Sequence, residues 1–356
     1  MLKNLENFLC DFHNKKYALI VGNGTTAIYL GIKSSLKKIK YVGVPNNSCI
    51  HLPIAIKLAN CKPIFFDIEK NGYGIDINSL KKSKIDCLIN VHSYGKPTKI
   101  DLIKKICQKK KIFLIEDVAV AQGGFYKKNP LGSFGDVSIL SFGKGKVLDA
   151  GLGGAILTDS SKVYNLSKKL LEKFKLVNNK NLKNIEFVNN MHTKFYNDYF
   201  LRNKKVDFEK FRYFIKKKSK HFLFKLPEKK KSYILKKCRN LKFYISIRRS
   251  NFIKFRDKIL KLKKRGIFIP KIINGEIPWR LNLFFKDSLK RDKLIKELLF
   301  KNIQVSSWYS GLDLFFEKNN NFKNSEAHSK SIINFWVNKK KNSIYQKKII
   351  KFIEQI

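Results

Sequence analysis

Histidine and closely paired cysteines are scarce in this sequence, which argues against several kinds of site. The 356 residues include six histidines and six cysteines. No two cysteines have the CxxC spacing that zinc sites and redox motifs use. We therefore expect no metal site, and reduced thiols rather than a disulfide framework. The cysteines are Cys10, Cys49, Cys61, Cys87, Cys107 and Cys238.

Long apolar segments are also missing. No window reaches the ~18 consecutive apolar residues typical of a membrane-spanning helix. The first residues have only short apolar runs and include Glu6 and Asp11, unlike a secretory signal peptide. These two absences predict a cytoplasmic protein.

Acidic residues are few, with 27 Asp and Glu against 75 Lys and Arg and a net charge of +48. Such an excess is typical of proteins that bind nucleic acid. Here the lysines run along the whole chain, together with abundant Asn, Ile, Phe and Tyr, all of which have A/T-rich codons. Genome composition therefore explains the charge, and we expect no nucleic-acid partner.

Residues 201–250 form the most basic stretch, which also includes Phe211, Tyr213, Phe222 and Phe224. Contact with an anionic membrane surface or with nucleic acid is one interpretation. A solvated helical face with apolar side chains turned inward is the other, and the codon bias favours it.

The first half of the chain shows a regular alternation of short β-rich runs with amphipathic segments. Strands are predicted at 17–21, 41–44, 63–67, 86–91, 111–115, 137–142 and 154–158, and helices at 27–38, 48–60 and 99–109. This alternation predicts an α/β fold with a seven-stranded, mainly parallel sheet flanked by helices. Ligands bind at the carboxyl ends of strands in such sheets.

From about residue 161 the pattern becomes helical, basic and poor in glycine. Strands are predicted at 266–270, 277–285 and 304–308, with helices at 287–301 and 343–356. We expect a large domain over residues 1–240, which includes the basic helical segment 161–240. A smaller α+β domain is expected over residues 241–356.

A glycine turn follows the first predicted strand and reads Gly22-Asn23-Gly24-Thr25-Thr26. Free backbone amides at a helix N-terminus bind anions, and phosphate is the natural occupant. The spacing also matches the dinucleotide fingerprint G-x-G-x-x-A, which requires an acidic residue at the end of the next strand. That strand ends at Val44-Pro45-Asn46 without a carboxylate, so a phosphate site is the better interpretation.

Asp117 lies two residues beyond the apolar run 112–115, just past the predicted end of a buried strand. A carboxylate at such a place is costly unless it is paired. Facing a protonated pyridine nitrogen, it would keep that nitrogen charged. Capping of the following helix is the alternative role.

A loop with interspersed glycines presents Lys144 and Lys146 after Ser141. Lys146 lies beyond a strand end, five residues after a hydroxyl and between glycines. A lysine that forms a Schiff base needs such a partly desolvated setting. A solvated loop lysine is the alternative, while the G-x-x-x-x-G-K-S/T loop of nucleotide hydrolases is absent.

The order and spacing of several motifs resemble those of the DegT/DnrJ/StrS sugar aminotransferases. The motifs are GNGTTA, PIFFDI, NVHSYGKP, IEDVAVAQGG, GSFGDVSILSF, GKGK and GGAILT, and the resemblance returns at IPWRLNLFF and VSSWYSGL. It implies fold type I, pyridoxal phosphate as cofactor, and a nucleotide-linked keto sugar as substrate. It further implies a homodimer whose sites are built from both subunits.

The resemblance assigns roles to individual residues. Lys146 carries the cofactor as a Schiff base, and Asp117 pairs with the pyridine nitrogen. The phosphate is held by a set of small and hydroxyl residues, namely Ser141, Gly24, Thr25 and Thr26. Two further cofactor-contacting positions depart from the family, with Val120 in place of Gln and Cys49 in place of a stacking aromatic residue. The loop Gly143-Lys144-Gly145 lacks the usual aromatic or His and the Thr.

The first hypothesis is therefore aminotransfer from glutamate to a nucleotide-linked keto sugar. Lys146 acts as general base and acid, and Asp117 keeps the cofactor ring electron-withdrawing. A second hypothesis, motivated by Val120, Cys49 and the basic segment, is a binding or regulatory relative at a membrane surface. A nicotinamide-dependent oxidoreductase is a third, disfavoured by Asn46.

Overall fold

A seven-stranded sheet forms the centre of the molecule. The computed structural model describes residues 4–70, 73–202, 204–309, 311–316, 322–338 and 343–355. The strands of the first half are β1 (Tyr17–Val21), β2 (Tyr41–Pro45), β3 (Lys62–Phe66), β4 (Cys87–Val91), β5 (Phe113–Asp117), β6 (Phe125–Tyr126), β7 (Asn129–Pro130), β8 (Val137–Ser141) and β9 (Gly154–Thr158). All except β6 and β7, which form a separate hairpin, belong to the sheet, in the order β1-β9-β8-β5-β4-β2-β3.

The sheet is mainly parallel, which confirms the predicted fold class. Only β9 runs against its neighbours, pairing antiparallel with both β1 and β8. The carboxyl ends of β1, β2, β4, β5 and β8 therefore meet at one edge. The predicted strand positions are correct to within about two residues. Asp117 was expected just past a strand, but it is the last residue of β5 and pairs with Val91.

Helices cover the sheet and continue through the second half. They are α1 (Leu5–His13), α2 (Gly24–Lys33), α3 (His51–Leu58), α4 (Ile77–Lys82), α5 (Ile100–Lys109), α6 (Ser161–Glu172), α7 (Asn179–Tyr196), α8 (Phe208–Lys218), α9 (Glu228–Arg239), α10 (Leu241–Lys261), α11 (Ser288–Phe300), α12 (Asp313–Phe316), α13 (Lys323–Ser331) and α14 (Ser343–Glu354). Residue 356, the end of the last predicted helix, lies outside the described residues.

The predicted bounds of two helices were wrong for local reasons. Helix α2 begins three residues earlier than expected because the side chain of Asn23 caps it, accepting a hydrogen bond from the Thr26 amide at 2.8 Å. Helix α3 begins later, at His51, because Ser48 lies in a turn and its hydroxyl donates to the Pro45 carbonyl.

The central strands are buried on both faces. Every residue of β4, β5, β8 and β9 is buried, so these strands show no polar alternation. One apolar core includes residues of α2 and α3, and a second includes residues of α1 and α9. This two-sided burial holds the strand ends in fixed positions at the edge where ligands bind.

The C-terminal region contains a three-stranded antiparallel sheet of β10 (Ile267–Phe268), β11 (Arg280–Phe285) and β12 (Ile332–Trp336). Strand β11 begins later than predicted because Pro278 has no amide hydrogen and Trp279 donates its own to the Tyr94 carbonyl. The strand predicted at 304–308 was wrong, since only Ser306 forms a bridge, with Asn334 of β12. The domain boundary near residue 240 stays a prediction.

The basic segment is helical, as predicted. Phe211, Phe222 and Phe224 are buried, whereas Tyr213 is exposed. Inward-facing apolar residues under a solvated lysine-rich surface account for part of this stretch, but Tyr233 and Phe243 are exposed as well. In the part of the chain that the structure describes, no helix is long and apolar enough to cross a membrane. Nor, within the same residues, do three His, Cys, Asp or Glu side chains form a metal-binding group.

His192 is a neutral histidine in an aromatic core. It stacks on Trp308 and packs against Phe211 and Phe315. It is 2% exposed, and neither ring nitrogen has a hydrogen-bond partner among the described residues. Burial lowers the pKa of His192 to about 3, with a smaller contribution from His51. Between that value and an unfolded pKa of about 6.5, the unfolded chain binds more protons, so acidification lowers the free energy of unfolding.

We predict that His192→Phe stabilises the protein, and more so at acidic pH. Phenylalanine fills the same aromatic environment without a buried unpaired polar atom and without a proton to take up. By the linkage relation, the advantage at pH 5 should exceed that at pH 7.5 by about 2 kcal/mol. Urea unfolding of both proteins at the two pH values measures this difference. Equal pH dependence of both proteins would contradict the prediction.

Candidate functional site

The residues proposed from sequence gather at the carboxyl edge of the sheet. Gly24 follows β1, Cys49 follows β2, Asp117 ends β5 and Ser141 ends β8. Burial raises the pKa of both Cys49 and Asp117, and the charge of Lys146 acts on both in the opposite direction, so Lys146 lies within electrostatic range of these two groups. The parallel sheet thus brings together groups that lie more than 120 residues apart.

The glycine turn faces Ser141. A Cβ atom built on Gly24 would lie 3.2 Å from the Ser141 Cβ and 3.3 Å from its Oγ, so a side chain at Gly24 would crowd the hydroxyl. Gly24 and Thr25 are the first residues of α2, and their amides have no acceptor within the helix. The amides of Gly24 and Thr25 and the hydroxyl of Ser141 are therefore neighbouring donors, a set that suits a phosphate.

Thr25 and Thr26 have different environments. Thr25 Oγ1 lies 3.1 Å from His51 Nδ1, while His51 Nε2 lies 2.9 Å from Asn189 Oδ1. With Nε2 donating to Asn189, Nδ1 is free to accept the hydroxyl hydrogen of Thr25. Burial is the main reason that the pKa of His51 falls to about 4, and nearby Lys146 lowers it further. His51 is therefore neutral at physiological pH.

Thr26 is fully buried, and both its polar groups are used within the protein. Its amide donates to Asn23, and its hydroxyl donates to the Phe222 carbonyl at 3.2 Å. The Asn23 side chain also donates to Phe222, at 3.0 Å. These bonds fasten the turn to a loop from the second half of the chain.

Asp117 is a buried carboxylate with one oxygen in use. Its Oδ1 accepts the Ala119 amide at 2.8 Å. The alternative role, capping of a following helix, was wrong, because a turn and then β6 follow Asp117. Burial raises its pKa, although Ala119, Lys146 and His92 act in the opposite direction. No Lys, Arg or His among the described residues forms an ion pair with it. A cation at the free oxygen would complete its environment.

Glu116, the neighbouring residue, fixes the end of β5. Its fully buried carboxylate accepts the amides of Gly132, Phe134 and Gly135 at 2.7, 2.8 and 3.0 Å. It also accepts from His92 Nε2 at 3.1 Å. Burial opposes ionisation, but these hydrogen bonds and His92 outweigh it and lower the pKa of Glu116. The carboxylate joins β5 to the loop that leads into β8. It therefore helps to fix the position of Asp117, at the end of β5, relative to Ser141, at the end of β8.

The two lysines of the loop differ in exposure. Lys144 is exposed, whereas Lys146 is half-buried. The Lys146 carbonyl accepts a hydrogen bond from Arg248 Nη2 at 3.0 Å, and the Gly145 carbonyl accepts one from Trp279 Nε1 at 2.7 Å. The C-terminal region therefore holds two successive backbone carbonyls of the loop, those of Gly145 and Lys146. This setting is the partly desolvated one expected for Lys146.

An aromatic cluster occupies the side of the site where the two departures from the family lie. Val120 is buried against Tyr94, Trp279 and Tyr309, and Cys49 packs at the margin of the same cluster. Burial raises the pKa of Cys49. Apolar contact is therefore what these positions offer to a bound ring.

Sequence reasoning missed several residues beside the loop, all from the C-terminal region. Arg248, Trp279 and Trp336 contact the loop, while Arg280 and Tyr309 pack against Trp279. Three of them lie in the motifs IPWRLNLFF and VSSWYSGL, which carried the weaker part of the family resemblance. Those motifs were the available signal, although a single sequence does not reveal which side chains turn toward the lysine loop.

We predict that Glu116→Gln destabilises the fold by about 2–4 kcal/mol. The amide group of glutamine would place a donor against backbone amides that need an acceptor, leaving buried polar groups unpaired. Chemical denaturation measures the loss. Glu326→Gln, which breaks an exposed pair with Lys330, is the matched control and should change stability by less than about 0.5 kcal/mol. Similar effects of the two substitutions would contradict the role given to Glu116.

Comparison with known proteins adds a family match. The sequence model of the DegT/DnrJ/EryC1/StrS aminotransferase family matches residues 1–354. The chain is 30% identical over 168 residues to GDP-perosamine synthase of Escherichia coli O157:H7, covering 46% of each protein. It is 29% identical over 175 residues to GDP-4-keto-6-deoxy-D-mannose 3-dehydratase of Escherichia coli O55:H7, covering 46% of this chain and 45% of that protein. The aligned stretches span about half the length of these curated relatives.

Solved structures support the same fold over nearly the whole chain. PseC of Helicobacter pylori, an aminotransferase involved in the biosynthesis of pseudoaminic acid, superposes with a TM-score of 0.78. The match covers 99% of this chain and 89% of that one, at 17% sequence identity. At that identity the likeness establishes the fold alone.

Proposed function

Because this chain belongs to the DegT/DnrJ/EryC1/StrS aminotransferase family, we propose that it transfers an amino group from glutamate to a keto sugar linked to a nucleotide. Surface polysaccharide or amino-sugar biosynthesis is the process that such a reaction serves. The observation that carries the proposal is the convergence of Lys146, Asp117 and the glycine turn at one sheet edge. The named relatives that act on nucleotide-linked sugars support the substrate class.

The described residues fit pyridoxal phosphate as the cofactor. The amides of Gly24 and Thr25 and the hydroxyl of Ser141 are neighbouring hydrogen-bond donors that would hold its phosphate. Asp117 has a free carboxylate oxygen that a protonated pyridine nitrogen would pair with. Cys49 and Val120 supply apolar contact for the ring. When bound, the cofactor withdraws electrons from the carbon that bears the amino group.

Lys146 is the residue that we propose to hold the cofactor and to move the proton. Its half-buried setting and the fixed loop backbone suit an amine that must be deprotonated to react. Once free, its ε-amine would take the proton from the substrate Cα. In the second half-reaction it would give a proton back to the substrate carbon. Asp117 would be kept ionised by the protonated pyridine nitrogen that it would face, and it would keep the cofactor ring electron-withdrawing.

The phosphate contacts are not equivalent. Gly24 and Thr25 are proposed to bind through their amides, and Ser141 through its hydroxyl. Thr25 donates its hydroxyl hydrogen to His51 in the structure, so its oxygen offers only lone pairs unless this bond is exchanged. Thr26 would act by holding the turn to Phe222 rather than by touching the phosphate.

Further parts of the proposal concern assembly and location. We propose a homodimer with sites completed by the partner subunit, as the family resemblance implies, and a large domain that ends near residue 240. We also propose a cytoplasmic location, for which the six unpaired cysteines are the support. Light scattering of the purified protein tests the dimer.

The alternatives make distinguishable products. One relative is a 3-dehydratase, so a deoxygenated rather than aminated sugar is the principal competing outcome. The binding or regulatory hypothesis predicts cofactor absorbance without any response to glutamate. The nicotinamide hypothesis is disfavoured because the residue that follows β2 is Asn46, whose side-chain amide donates a hydrogen bond to Asp313 at 2.7 Å.

We predict that Lys146→Ala abolishes the visible absorption band of the lysine-bound cofactor, at about 400–430 nm. Lys144→Ala is the matched control and should retain the band, because Lys144 is exposed on the same loop. Absorbance spectra of the purified proteins after incubation with pyridoxal phosphate measure this. An unchanged band in Lys146→Ala would contradict the assignment of Lys146 as the lysine that binds the cofactor.

We predict that Asp117→Asn slows conversion of the bound cofactor by glutamate at least about 100-fold, since a neutral amide does not stabilise the pyridinium. Stopped-flow absorbance of the glutamate half-reaction measures the rate. Asp101→Asn, on the surface beside Lys127, is the control and should react like the wild type. Equal rates for the wild type and Asp117→Asn would remove Asp117 from the mechanism.

The substrate is tested by a panel. Protein converted by glutamate should return to its original spectrum with one member of a set of 4-keto and 3-keto nucleotide sugars, and mass spectrometry should find the aminated sugar. Return of the spectrum without an amino sugar, or a deoxygenated product, would contradict aminotransfer.

A further inference from the structure

Helices α9 and α10 contain a long run without acidic residues. Residues 229–256, which form most of the two helices, include eleven Lys or Arg and no Asp or Glu. Their buried sides are apolar, and Ile234, Cys238 and Leu241 belong to the second apolar core. Genome composition accounts for the number of lysines in the chain. It does not account for the particular side chains that these two helices turn outward.

Lysines and aromatic rings lie together on the outer side of the two helices. The Nζ of Lys237 lies 5.5 Å from the ring centroid of Tyr233 and 5.2 Å from that of Tyr244. Lys230 Nζ lies 5.5 Å from the Tyr233 centroid, and the ring centroids of Phe243 and Tyr244 are 6.0 Å apart. These five residues form what we call the α9–α10 face. Tyr233 is 44% exposed and Phe243 is 52% exposed, so cations and apolar rings meet the solvent together.

Further exposed cations lie close to this face in sequence, namely Lys236, Arg239 and Lys242. Among the residues that the structure describes, no carboxylate forms an ion pair with any of the three. Lys231 differs, because Glu6 and Glu228 each lie 3.1 Å from its Nζ. Apart from Lys231, these helices therefore present positive charge that carboxylates nearby do not neutralise, and the surface attracts an anionic partner.

The charge of the face argues against a second copy of this chain as its occupant. A two-fold interface places the same patch of both subunits against each other. Here that arrangement would bring lysines against lysines, with no carboxylate in residues 229–256 of either copy to pair with them. Such like-charge contacts are unfavourable. A polyanion is the complementary occupant.

Two properties favour a lipid surface over a nucleic acid as that polyanion. Most of the exposed cations are lysines, which act as point charges, whereas Arg248 and Arg249 use their guanidinium groups to hold backbone carbonyls. Ile253, farther along α10, is 49% exposed. An aliphatic side chain offers no ring for a base to stack on, but it suits the acyl boundary below lipid headgroups.

We propose that the α9–α10 face docks on an anionic lipid bilayer. Its lysines would contact the negative headgroups, while Tyr233, Phe243 and Ile253 would reach the boundary with the acyl chains. The buried side of α10 holds the lysine loop through the hydrogen bond that Arg248 donates to the Lys146 carbonyl. Docking therefore leaves that loop on the side of the helix away from the lipid. The proposal goes beyond the proposed function and does not depend on it.

The test uses the purified full chain and two kinds of vesicle, one of phosphatidylcholine alone and one that also contains about a third phosphatidylglycerol. The chain should sediment with the anionic vesicles only, and the bound fraction should fall as salt is added. The triple variant Lys236→Gln, Lys237→Gln, Lys242→Gln should lower the partition coefficient at least about tenfold. The matched control, Lys162→Gln, Lys168→Gln, Lys169→Gln, removes three exposed charges from α6, which packs on the other apolar core. It should lower the coefficient by less than about threefold.

A second variant changes the apolar part of the face without changing its charge. Tyr233→Ser combined with Phe243→Ser should weaken binding to anionic vesicles at least about threefold. The tryptophan emission of Phe243→Trp should move to shorter wavelength on those vesicles, relative to the wild type. Circular dichroism and urea unfolding of each variant check that the fold is kept.

Four results would overturn the proposal. Failure of the wild type to bind anionic vesicles is the first. Equal losses in the lysine variant and its control would show that overall charge, not this face, attracts the lipid. Binding of polyuridylate that the lysine variant loses, without vesicle binding, would assign the face to nucleic acid. A change from dimer to monomer in the Tyr233→Ser, Phe243→Ser variant, measured by light scattering, would assign it to a second copy.

Discussion

The buried carboxylate of Glu116 is the interaction on which the geometry of the site depends. It accepts hydrogen bonds from three backbone amides of the loop before β8 and from the ring of His92. Removing an ionised group from water is costly, and four donors offset that cost only when the loop has one particular shape. Asp117 directly follows Glu116 and Ser141 ends the strand that this loop enters. Their relative positions therefore derive from a residue that need not touch the reactants.

A second set of contacts ties the C-terminal region to the sheet. The hydroxyl of Tyr94 donates to the Trp308 carbonyl at 2.9 Å and accepts the Tyr309 amide at 3.1 Å. The amide of Ile277 donates to the Gly95 carbonyl. A buried ion pair between Lys96 and Glu276, at 2.6 Å, lies alongside. The aromatic cluster and the lysine loop thus come from distant parts of the chain. Hydrogen bonds hold these parts together where they meet.

The sequence allowed the sheet and the grouping of the candidate residues at its edge to be predicted, because both depend on local patterns. Strand ends follow from apolar runs bounded by turn residues. Asp117 and Ser141 stand at such ends, and Lys146 lies in the loop that follows β8. The distinction between Lys144 and Lys146 also survived, since glycines and a strand end mark the half-buried lysine. The family resemblance gave these positions their chemical roles.

Other features could not be predicted because they depend on partners remote in sequence. Strand β12 pairs with β11, which lies about fifty residues earlier in the chain. On its other side β12 meets only Ser306, which forms an isolated bridge where a strand was expected. The burial of Arg280 depends in part on Trp336 of β12, which is remote in sequence and covers one face of its guanidinium. Likewise, the use of Thr26 as a structural anchor depends on the Phe222 carbonyl, which no local spacing indicates.

The contact between the glycine turn and the loop around Phe222 has a consequence for the order of assembly. Gly22 donates its amide to the Phe224 carbonyl, and a Cβ atom on Gly22 would lie 2.2 Å from Phe224, so the two segments touch through bare backbone. Some two hundred residues separate them, and a contact of such sequence separation closes late in folding. On the ribosome, the N-terminal strands emerge long before their fastening does. The glycine turn therefore acquires its final form only after about two-thirds of the chain has been made, and the phosphate binding proposed for it would come equally late in biogenesis.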